Sequence, residues 1–479
     1  MDAVVVGSGP NGLAAAVALA RAGLRVQVLE RNDTLGGGAR TAELTLPGYR
    51  HDVCSAVHPL ALASEFFRAF ALERRVAFAV PDVSFGQALD GGRAAIAYRS
   101  LTRTADELGR DGAAYARLMG PLARRADAVA AFTGAPLLPV PRHPLAFARF
   151  GLASLEQGGP WWDARFRDEA APALLGGVMA HAILPMPSLG SAGAGLSLTA
   201  YAHARGWPIP IGGSQAIVDA LVADLEAHGG TLETGIEVRS LAELPPARAV
   251  LLDVTPRALA AMAGERMPAG YRRALERFRY GNGVAKIDFA LSAPVPWADE
   301  RLRRAGTVHL GGTRDEVAAA ENEVARGRHP ESPYVLVSQP SLFDRSRAPE
   351  GGHTLWTYTH VPAGSRRDRR EAVVRQLERF APGFRDTILA VSSMDAAEVA
   401  AHNPNYIGGD ISAGEASFAQ LLKRPVLSAD PWRTPMQSVY LCSASTTPGP
   451  GVHGMAGWRA ALSALRHEFG AREAPALAP

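Results

Sequence analysis

The chain has 479 residues, of which 47% are hydrophobic and 20% are charged. This gives room for two or three domains with a substantial core and excludes wholesale disorder. The formal net charge is only +3, with 50 basic and 47 acidic side chains, and no block of basic residues marks a nucleic-acid arm, so nucleic acid is not expected as a partner. Two cysteines, Cys54 and Cys442, exclude a disulfide framework and a Cys-x-x-Cys redox pair. Two free, buried thiols are favoured over one disulfide between them.

The N-terminal residues have the pattern of a βαβ unit. Residues 3–6 (AVVV) are a short β-branched run typical of a buried parallel strand, and they lead into the glycine turn GSGPNG at residues 7–12. Apolar residues then recur at helical spacing, at Leu13, Ala16, Val17 and Ala20. Gly23 ends the predicted helix, and residues 24–29 (LRVQVL) predict a second strand that stops at Glu30. Strand, glycine turn, helix and strand are the elements of a dinucleotide-binding fold.

The glycine turn carries the chemistry of that fold. Gly7 allows the tight turn, Gly9 lets the backbone approach a pyrophosphate, and Gly12 lets helix and strand pack closely. The pyrophosphate then lies at the helix N-terminus, where free N–H groups and the helix dipole favour anions. Glu30, at the end of the second strand, is placed to hold ribose hydroxyls, and an acid there argues against a 2′-phosphate.

Two further stretches have a distinct composition. Residues 136–147 (PLLPVPRHPLAF) are proline-rich and predict a surface excursion. Residues 170–204 contain no Asp, Glu, Lys or Arg, which is long enough for a membrane span of about 20 residues. Prolines and glycines interrupt them, however, and lipid-exposed irregular backbone is not tolerated. We therefore expect broken segments buried in protein, either along an apolar cavity or in ordinary core.

The remaining elements are predicted by hydrophobic periodicity. A helix is expected within residues 211–230, followed by three short strands at residues 231–232, 237–238 and 249–252. Residues 284–291 (VAKIDFAL) alternate like a half-buried antiparallel strand. Later elements are strands at 334–337, 354–359 and 439–442, with helices at 371–380 and from about 454 to 467.

Four segments together resemble one known family. Residues 439–465 (VYLCSASTTPGPGVHGMAGWRAALSAL) are similar to the closing FAD motif of the phytoene-desaturase-like flavoproteins in the amine-oxidase superfamily. Residues 31–41 (RNDTLGGGART) are similar to the second flavin motif of that group, although alone they are equally well read as a flexible turn and a solvated arginine. Further matches are WPIPIGGS at 207–214 and HNPNYIGGDI at 402–411.

The resemblance implies an α/β fold of two domains and an FAD cofactor. The Rossmann-like FAD-binding domain is expected to be discontinuous (1–85, 206–285 and 395–479), with a mixed α+β substrate domain from 86–205 and 286–394. The residues implied in FAD binding are Gly7, Gly9, Pro10, Asn11, Gly12, Glu30, Arg31, Gly37, Gly38, Ala39, Arg40, Val238, Thr255, Gly449, Gly451 and Val452. Val238 and Thr255 also have plain interpretations, as a strand residue and a turn residue.

The closing motif departs from the family at one point. Many members have His-Pro-Gly-Gly-Gly where this chain has Thr-Pro-Gly-Pro-Gly at residues 447–451. Pro450 lacks an N–H group, so a backbone contact made there in relatives is in doubt. The following helix is expected to direct its positive end toward the flavin ring, where negative charge accumulates on reduction.

Catalytic candidates are few. The histidines are scattered, without the spacing of a metal site, and no metal is predicted. His453, beside the expected flavin ring, and His181, inside the uncharged stretch, are the best candidates by position. For each of them a structural role is the alternative.

The sequence predicts an FAD-dependent oxidoreductase of the oxidase, dehydrogenase or desaturase type. Hydride would pass from a small apolar or amine-bearing substrate to the flavin. GSAGAG at 190–195 lacks the frame of a second nucleotide domain, so electrons would leave to oxygen, a quinone or another small acceptor. The alternatives are a redox-neutral isomerase that uses reduced FAD and a non-catalytic lipid- or isoprenoid-binding protein. A cytoplasmic location is expected because no basic leader is visible, with peripheral membrane contact and the oligomeric state left open.

Overall fold

A computed structural model describes residues 1–136 and 141–479. The strands in these ranges are β1 (Ala3–Val6), β2 (Val26–Leu29), β3 (Thr41–Glu43), β4 (Arg50–Asp52), β5 (Phe78–Ala79), β6 (Val83–Leu89), β7 (Arg93–Tyr98), β8 (Ile209–Pro210), β9 (Thr231–Glu233), β10 (Ala249–Leu252), β11 (Gly283–Leu291), β12 (Ala305–Leu310), β13 (Val335–Ser338), β14 (His353–Val361), β15 (Ile388–Met394) and β16 (Val439–Leu441).

The α-helices in the same ranges are α1 (Pro10–Arg21), α2 (Glu65–Ala69), α3 (Leu101–Glu107), α4 (Gly112–Ala123), α5 (Ala126–Thr133), α6 (Pro144–Gln157), α7 (Ala170–Met179), α8 (Leu189–Arg205), α9 (Gln215–Ala227), α10 (Pro256–Ala263), α11 (Ala269–Glu276), α12 (Arg314–Ala325), α13 (Arg370–Phe380), α14 (Ala396–His402), α15 (Phe418–Leu422) and α16 (Met455–Phe469).

A parallel five-stranded sheet forms the first layer, in the order β16–β10–β1–β2–β9. β1 is buried throughout, as expected for a central strand covered on both faces. α1 begins with Pro10 at its first turn, where the missing N–H costs nothing, and its residues 11–20 are buried because α9 and α16 pack against it. Every strand of this sheet lies within the segments predicted for the FAD-binding domain.

A seven-stranded sheet forms the second layer, in the order β15–β11–β14–β13–β12–β6–β7. Its pairs are antiparallel except β6 with β12, which are parallel. β6 and β11 begin a few residues before the predicted boundaries at 86 and 286; the boundaries otherwise stay a prediction. The α/β fold class, with a Rossmann-like sheet built from distant segments and a mixed α+β part, is confirmed.

Helices form a third region beside the second sheet. The uncharged stretch folds as two helices, α7 and α8, which pack on each other with α4 and α6 around them. Their interruption at residues 180–188 agrees with the expected broken segments. Within the described ranges, no helix has both the length and the apolar character to cross a membrane.

Two expectations about local structure are wrong. Residues 237–238 form no strand, because the chain turns at Gly235 (φ +72°) and the N–H of Ile236 donates to the Glu30 carbonyl across the sheet end. β11 is buried along its whole length rather than half-buried, because its polar residues Lys286 and Asp288 form an ion pair and His51 lies 3.7 Å from Asp288. Of the expected surface excursion, residues 137–140 lie outside the described residues, residues 142–145 are exposed as expected, and α6 begins at Pro144.

Candidate cofactor and substrate site

One large cavity begins at the carboxyl ends of the parallel strands. Because β1, β2, β10 and β16 run in the same direction, their carboxyl ends meet at one edge, where open α/β sheets bind ligands. The cavity measures about 1170 Å³ and continues from this edge to α8. A pocket for one drug-sized ligand has about 300–1,000 Å³, so the volume suits a large cofactor together with a second molecule.

The glycine turn after β1 forms one wall of the cavity. A Cβ on Gly12 would lie 2.1 Å from the Gly7 carbonyl oxygen, so this glycine serves the packing of α1 on the turn. A Cβ on Gly9 would lie 2.6 Å from Oδ2 of Asp253 and would protrude toward the N-terminus of α1. Gly12 therefore has the packing role expected of it, whereas the close approach of Gly9 to a pyrophosphate stays a prediction.

Glu30 lies at the end of β2 and lines the cavity. Its Oε2 accepts hydrogen bonds from the Ser8 N–H (2.9 Å) and the Ser8 hydroxyl (2.7 Å), and its Oε1 accepts from the Asn32 N–H (2.8 Å). These bonds fix the orientation of the carboxylate while lone pairs remain for a further donor such as a ribose hydroxyl.

The segment after Glu30 closes over the glycine turn. A Cβ on Gly37 would lie 3.1 Å from the Cα of Gly9, so the two backbones touch. Arg40 donates to the Gly37 carbonyl (3.1 Å) and contacts the ring of His402. Within the described ranges, Arg40 has no carboxylate at ion-pair distance, and burial lowers its pKa. A half-buried cation beside the turn suits an anionic ligand.

Most of the residues predicted to bind the cofactor share this cavity. The lining residues among them are Gly7, Gly9, Pro10, Asn11, Glu30, Arg31, Gly37, Gly38, Arg40, Val238, Gly451 and Val452. Gly12, Ala39, Thr255 and Gly449 do not line it. Thr255 instead caps α10, accepting a hydrogen bond from the Ala258 N–H at 3.2 Å. Val238 lines the cavity from a loop and not from a strand.

The two predicted catalytic histidines have different environments. His453 also lines the cavity, but it is buried and both of its nitrogens are used: its Nδ1 accepts from the Met455 N–H (3.0 Å), and its Nε2 lies 3.1 Å from the Gly449 carbonyl. Burial lowers its pKa to about 4. This geometry favours a structural role in holding the turn before α16. His181 lines the cavity and keeps one nitrogen free of the described residues.

The end of the cavity near α8 is apolar. The turn after α7 and one face of α8 contribute lining residues such as Ile183, Leu189 and Leu198, so the cavity alternative for the uncharged stretch is confirmed. Aromatic side chains complete the wall: Trp207, Trp356, Tyr358 and Tyr406.

Sequence reasoning missed a group of buried charges behind that wall. Lys286 forms an ion pair with Asp288 and lies 5.2 Å from the centre of the Trp356 ring. Arg347 forms a fully buried ion pair with Asp52. Strand alternation placed Lys286 on a polar face, but no sequence signal joins it to the distant segment that covers it.

Asp253 is the other residue that sequence reasoning missed. It follows β10 directly, lines the cavity and accepts a hydrogen bond from the Gly12 N–H at 3.0 Å. Burial raises its pKa to about 7. Its position after a third buried parallel strand was the available signal, since carboxyl ends of such strands meet at one edge.

Replacing Asp253 with asparagine is expected to remove a pH dependence of stability. The folded state holds a proton on Asp253 up to about pH 7, whereas the ordinary value is 3.8. The wild type therefore loses stability as the pH rises from about 4 to 7. Asp253→Asn, which has no carboxyl group to titrate at this position, does not show this loss. Urea unfolding at pH 5 and pH 8 should show the variant gaining on the wild type at pH 8; parallel pH profiles would contradict the assignment.

The chain has the fold of known amine oxidases. A variant of putrescine oxidase superposes with a TM-score of 0.61 at 18% identity, over 97% of this chain and 98% of that one. Cyclohexylamine oxidase from Brevibacterium oxydans superposes with a TM-score of 0.57 at 16% identity, over the same shares of the two chains. Residues 5–70 match the family described as a NAD(P)-binding Rossmann-like domain.

The similarity to known proteins also extends over the full length in sequence. The chain is 26% identical to pyridine nucleotide-disulfide oxidoreductase domain-containing protein 2 of Rattus norvegicus, over 97% of this chain and 93% of the relative. An uncharacterized protein of Mycobacterium tuberculosis is 25% identical, over 99% of this chain and 98% of the relative. The predicted resemblance is thus confirmed. The disulfide chemistry in the rat protein's name has no counterpart here, since Cys54 and Cys442 are free and far apart in the sequence.

Proposed function

We propose that the protein is an FAD-dependent oxidoreductase that takes a hydride from an apolar or amine-bearing substrate. The observation that carries this proposal is the continuity of the cavity. Its one end is the glycine turn of a dinucleotide fold, and its other end is an apolar chamber formed by α8 and aromatic side chains. A bound dinucleotide alone would not need the apolar chamber.

The residues at the first end fit FAD. Gly9 has no room for a side chain, since a Cβ there would run into the Asp253 carboxylate, and the cavity-lining Asn11 has a buried Oδ1 without a partner among the described residues. Because the Gly12 N–H donates to Asp253 and Pro10 has no N–H, the Asn11 N–H at the start of α1 and the Arg40 guanidinium would hold the pyrophosphate. Glu30 would hold the ribose, and Gly451 and Val452 would pack on the flavin ring near the N-terminus of α16.

The chemistry follows from what each part supplies. Bound FAD would supply the hydride acceptor. The chain's own residues would exclude water and orient the substrate. Holding the reacting groups together in this way raises the rate of hydride transfer. The substrate loses a C–H hydride and a proton, and the two electrons then leave to oxygen, a quinone or another small acceptor. GSAGAG at 190–195 lies inside α8, without the strand–turn–helix frame of a second nucleotide site.

Anaerobic titration of the FAD-loaded protein tests this proposal. Bleaching of the flavin by a lipid polyene or by an alkylamine is the expected result, and the compound that bleaches identifies the substrate class. Turnover without consumption of an electron acceptor would support the redox-neutral isomerase instead. A folded protein that binds lipid but no FAD would support the non-catalytic alternative. Bleaching by NADPH alone would contradict the proposal that the organic substrate supplies the electrons.

Peripheral membrane contact is part of the same proposal. α6 exposes a stripe of leucines, Leu145, Leu152 and Leu155, which are 75%, 67% and 60% exposed, and Leu155 also lines the cavity. A helix that is apolar on its outer face suits a lipid surface near which an apolar substrate enters.

Charging this stripe is expected to weaken membrane binding. We expect the wild type to sediment with phosphatidylcholine–phosphatidylglycerol vesicles, and Leu152→Glu with Leu155→Glu to remain in the supernatant. Leu389→Glu is the matched control, because Leu389 is 51% exposed on β15 and does not line the cavity. Equal sedimentation of all three proteins would contradict the proposed contact.

A further inference from the structure

A chain of three polar side chains leads from the substrate end of the cavity into the protein interior. His181, in the turn after α7, lines the cavity, and its Nε2 lies 2.9 Å from Nε2 of His309 on β12. His309 is paired in register with Gln87 on the parallel strand β6. Both inner residues are fully buried, so their hydrogen-bonding states are restricted.

The orientation of Gln87 is fixed by its amide group. Its Nε2 donates to the carbonyl oxygen of Gly312 at 2.7 Å, a bond that only the NH₂ group can make. The opposite atom, Oε1, is therefore directed inward and has no partner among the described residues.

Gln87 in turn favours one tautomer of His309. Oε1 of Gln87 and Nδ1 of His309 lie 2.1 Å and 2.7 Å from the point where a Cβ of Gly177 would stand, so they are neighbours beside this glycine, although no hydrogen bond joins them. Nδ1 of His309 also has no partner among the described residues. Two buried acceptors side by side would both be left bare, which is costly. A proton on Nδ1 of His309 gives Oε1 of Gln87 a donor to face.

The tautomer of His309 then determines that of His181. With its proton on Nδ1, His309 has an unprotonated Nε2. The contact of 2.9 Å between the two Nε2 atoms then requires that Nε2 of His181 carry a proton and donate. Both rings are neutral, since burial lowers the pKa of His181 to about 3 and that of His309 well below its usual value. His181 is left with a bare Nδ1, which remains accessible and has no hydrogen bond to the described residues.

We propose that His181 presents an unprotonated Nδ1 to the cavity as the acceptor for a hydroxyl or amine N–H group of the substrate. Gln87 and His309 are positioning residues that set this tautomer. The substrate is thus an apolar molecule with one hydrogen-bond donor, and a pure hydrocarbon leaves His181 unpaired. The identity of the bound molecule as a substrate rests on the proposed function, whereas the tautomer does not.

The first test measures the tautomer directly. ¹⁵N spectra of histidine-labelled protein, assigned with His181→Gln, should show His181 protonated at Nε2 and bare at Nδ1. Gln87→Met, which removes the acceptor at similar volume, should shift His181 toward a mixture of tautomers. A wild-type His181 protonated at Nδ1, or one unchanged by Gln87→Met, would overturn the proposal.

The second test measures recognition of the donor. Calorimetry with the FAD-loaded protein should show 1-decanol binding about three- to tenfold more tightly than decyl methyl ether, which lacks the O–H. His181→Phe should abolish this ratio, and equal affinities in the wild type would overturn the assignment. Flavin absorbance of the same samples reports cofactor loading separately, so a colourless protein with the expected tautomer contradicts only the FAD proposal.

Discussion

Gly9→Val is expected to abolish FAD loading while the chain remains folded. A Cβ at this position would lie 2.6 Å from Oδ2 of Asp253, and the two methyl groups of valine would extend toward the N-terminus of α1. Overpacking costs about 1–3 kcal/mol, and each lost hydrogen bond to a charged pyrophosphate about 1.5–3 kcal/mol. The first cost lowers the stability of the fold, whereas the loss of two such hydrogen bonds weakens FAD binding by about 100-fold or more.

The backbone conformation of Gly9 allows a valine at this position without backbone strain. Its φ of −62° and ψ of 166° are extended values that valine adopts readily, and the residue before a proline prefers them. Gly270→Val is the matched control, since a Cβ on this exposed glycine has no neighbour within 4 Å. Circular dichroism and flavin absorbance should show two folded proteins, of which only the control is yellow. A fully loaded Gly9→Val protein would contradict the placement of the pyrophosphate.

Arg347→Met is expected to produce the largest loss of stability. The guanidinium and the carboxylate of Asp52 form an ion pair in which both side chains are 0% exposed. Arg347 also donates to the Arg50 carbonyl at 3.1 Å, so it joins the segment that holds β4 to the segment before β14. Removing one partner leaves an uncompensated buried charge, which costs about 3–5 kcal/mol.

An exposed pair on the same chain provides the comparison. Arg326 and Glu323 are 62% and 34% exposed, and such pairs contribute about 0–1 kcal/mol. Urea unfolding of the apoprotein should therefore show a large shift for Arg347→Met and almost none for Arg326→Met. Equal midpoints would show that Asp52 is sufficiently satisfied by Thr41 and Ser214, whose groups donate to it at 2.8 Å.

Local patterns made the dinucleotide end of the site predictable. β1, α1 and β2 follow within one short stretch, and their periodicity, the glycine turn and Glu30 are all visible in consecutive residues. The same holds for β16 and α16, where a strand leads through a glycine-rich turn into a helix. The assembly of the parallel sheet from distant segments was expected from the family resemblance and not from the periodicity.

Long-range contacts were not predictable from one sequence. His181 and His309 lie 128 residues apart, and Lys286 is buried because a segment near residue 51 covers β11. No local signal reports which segment covers which strand. The wrong strand at residues 237–238 has a related cause, since Gly235 turns the chain across the end of β2.

The most direct test is equilibrium titration of the apoprotein with FAD and, in parallel, with NAD⁺. The glycine turn, Arg40 and the residues before α16 should together bind one FAD per chain and give a yellow protein, with NAD⁺ unable to compete. A folded apoprotein that binds NAD⁺ and leaves FAD in solution would contradict the central assignment.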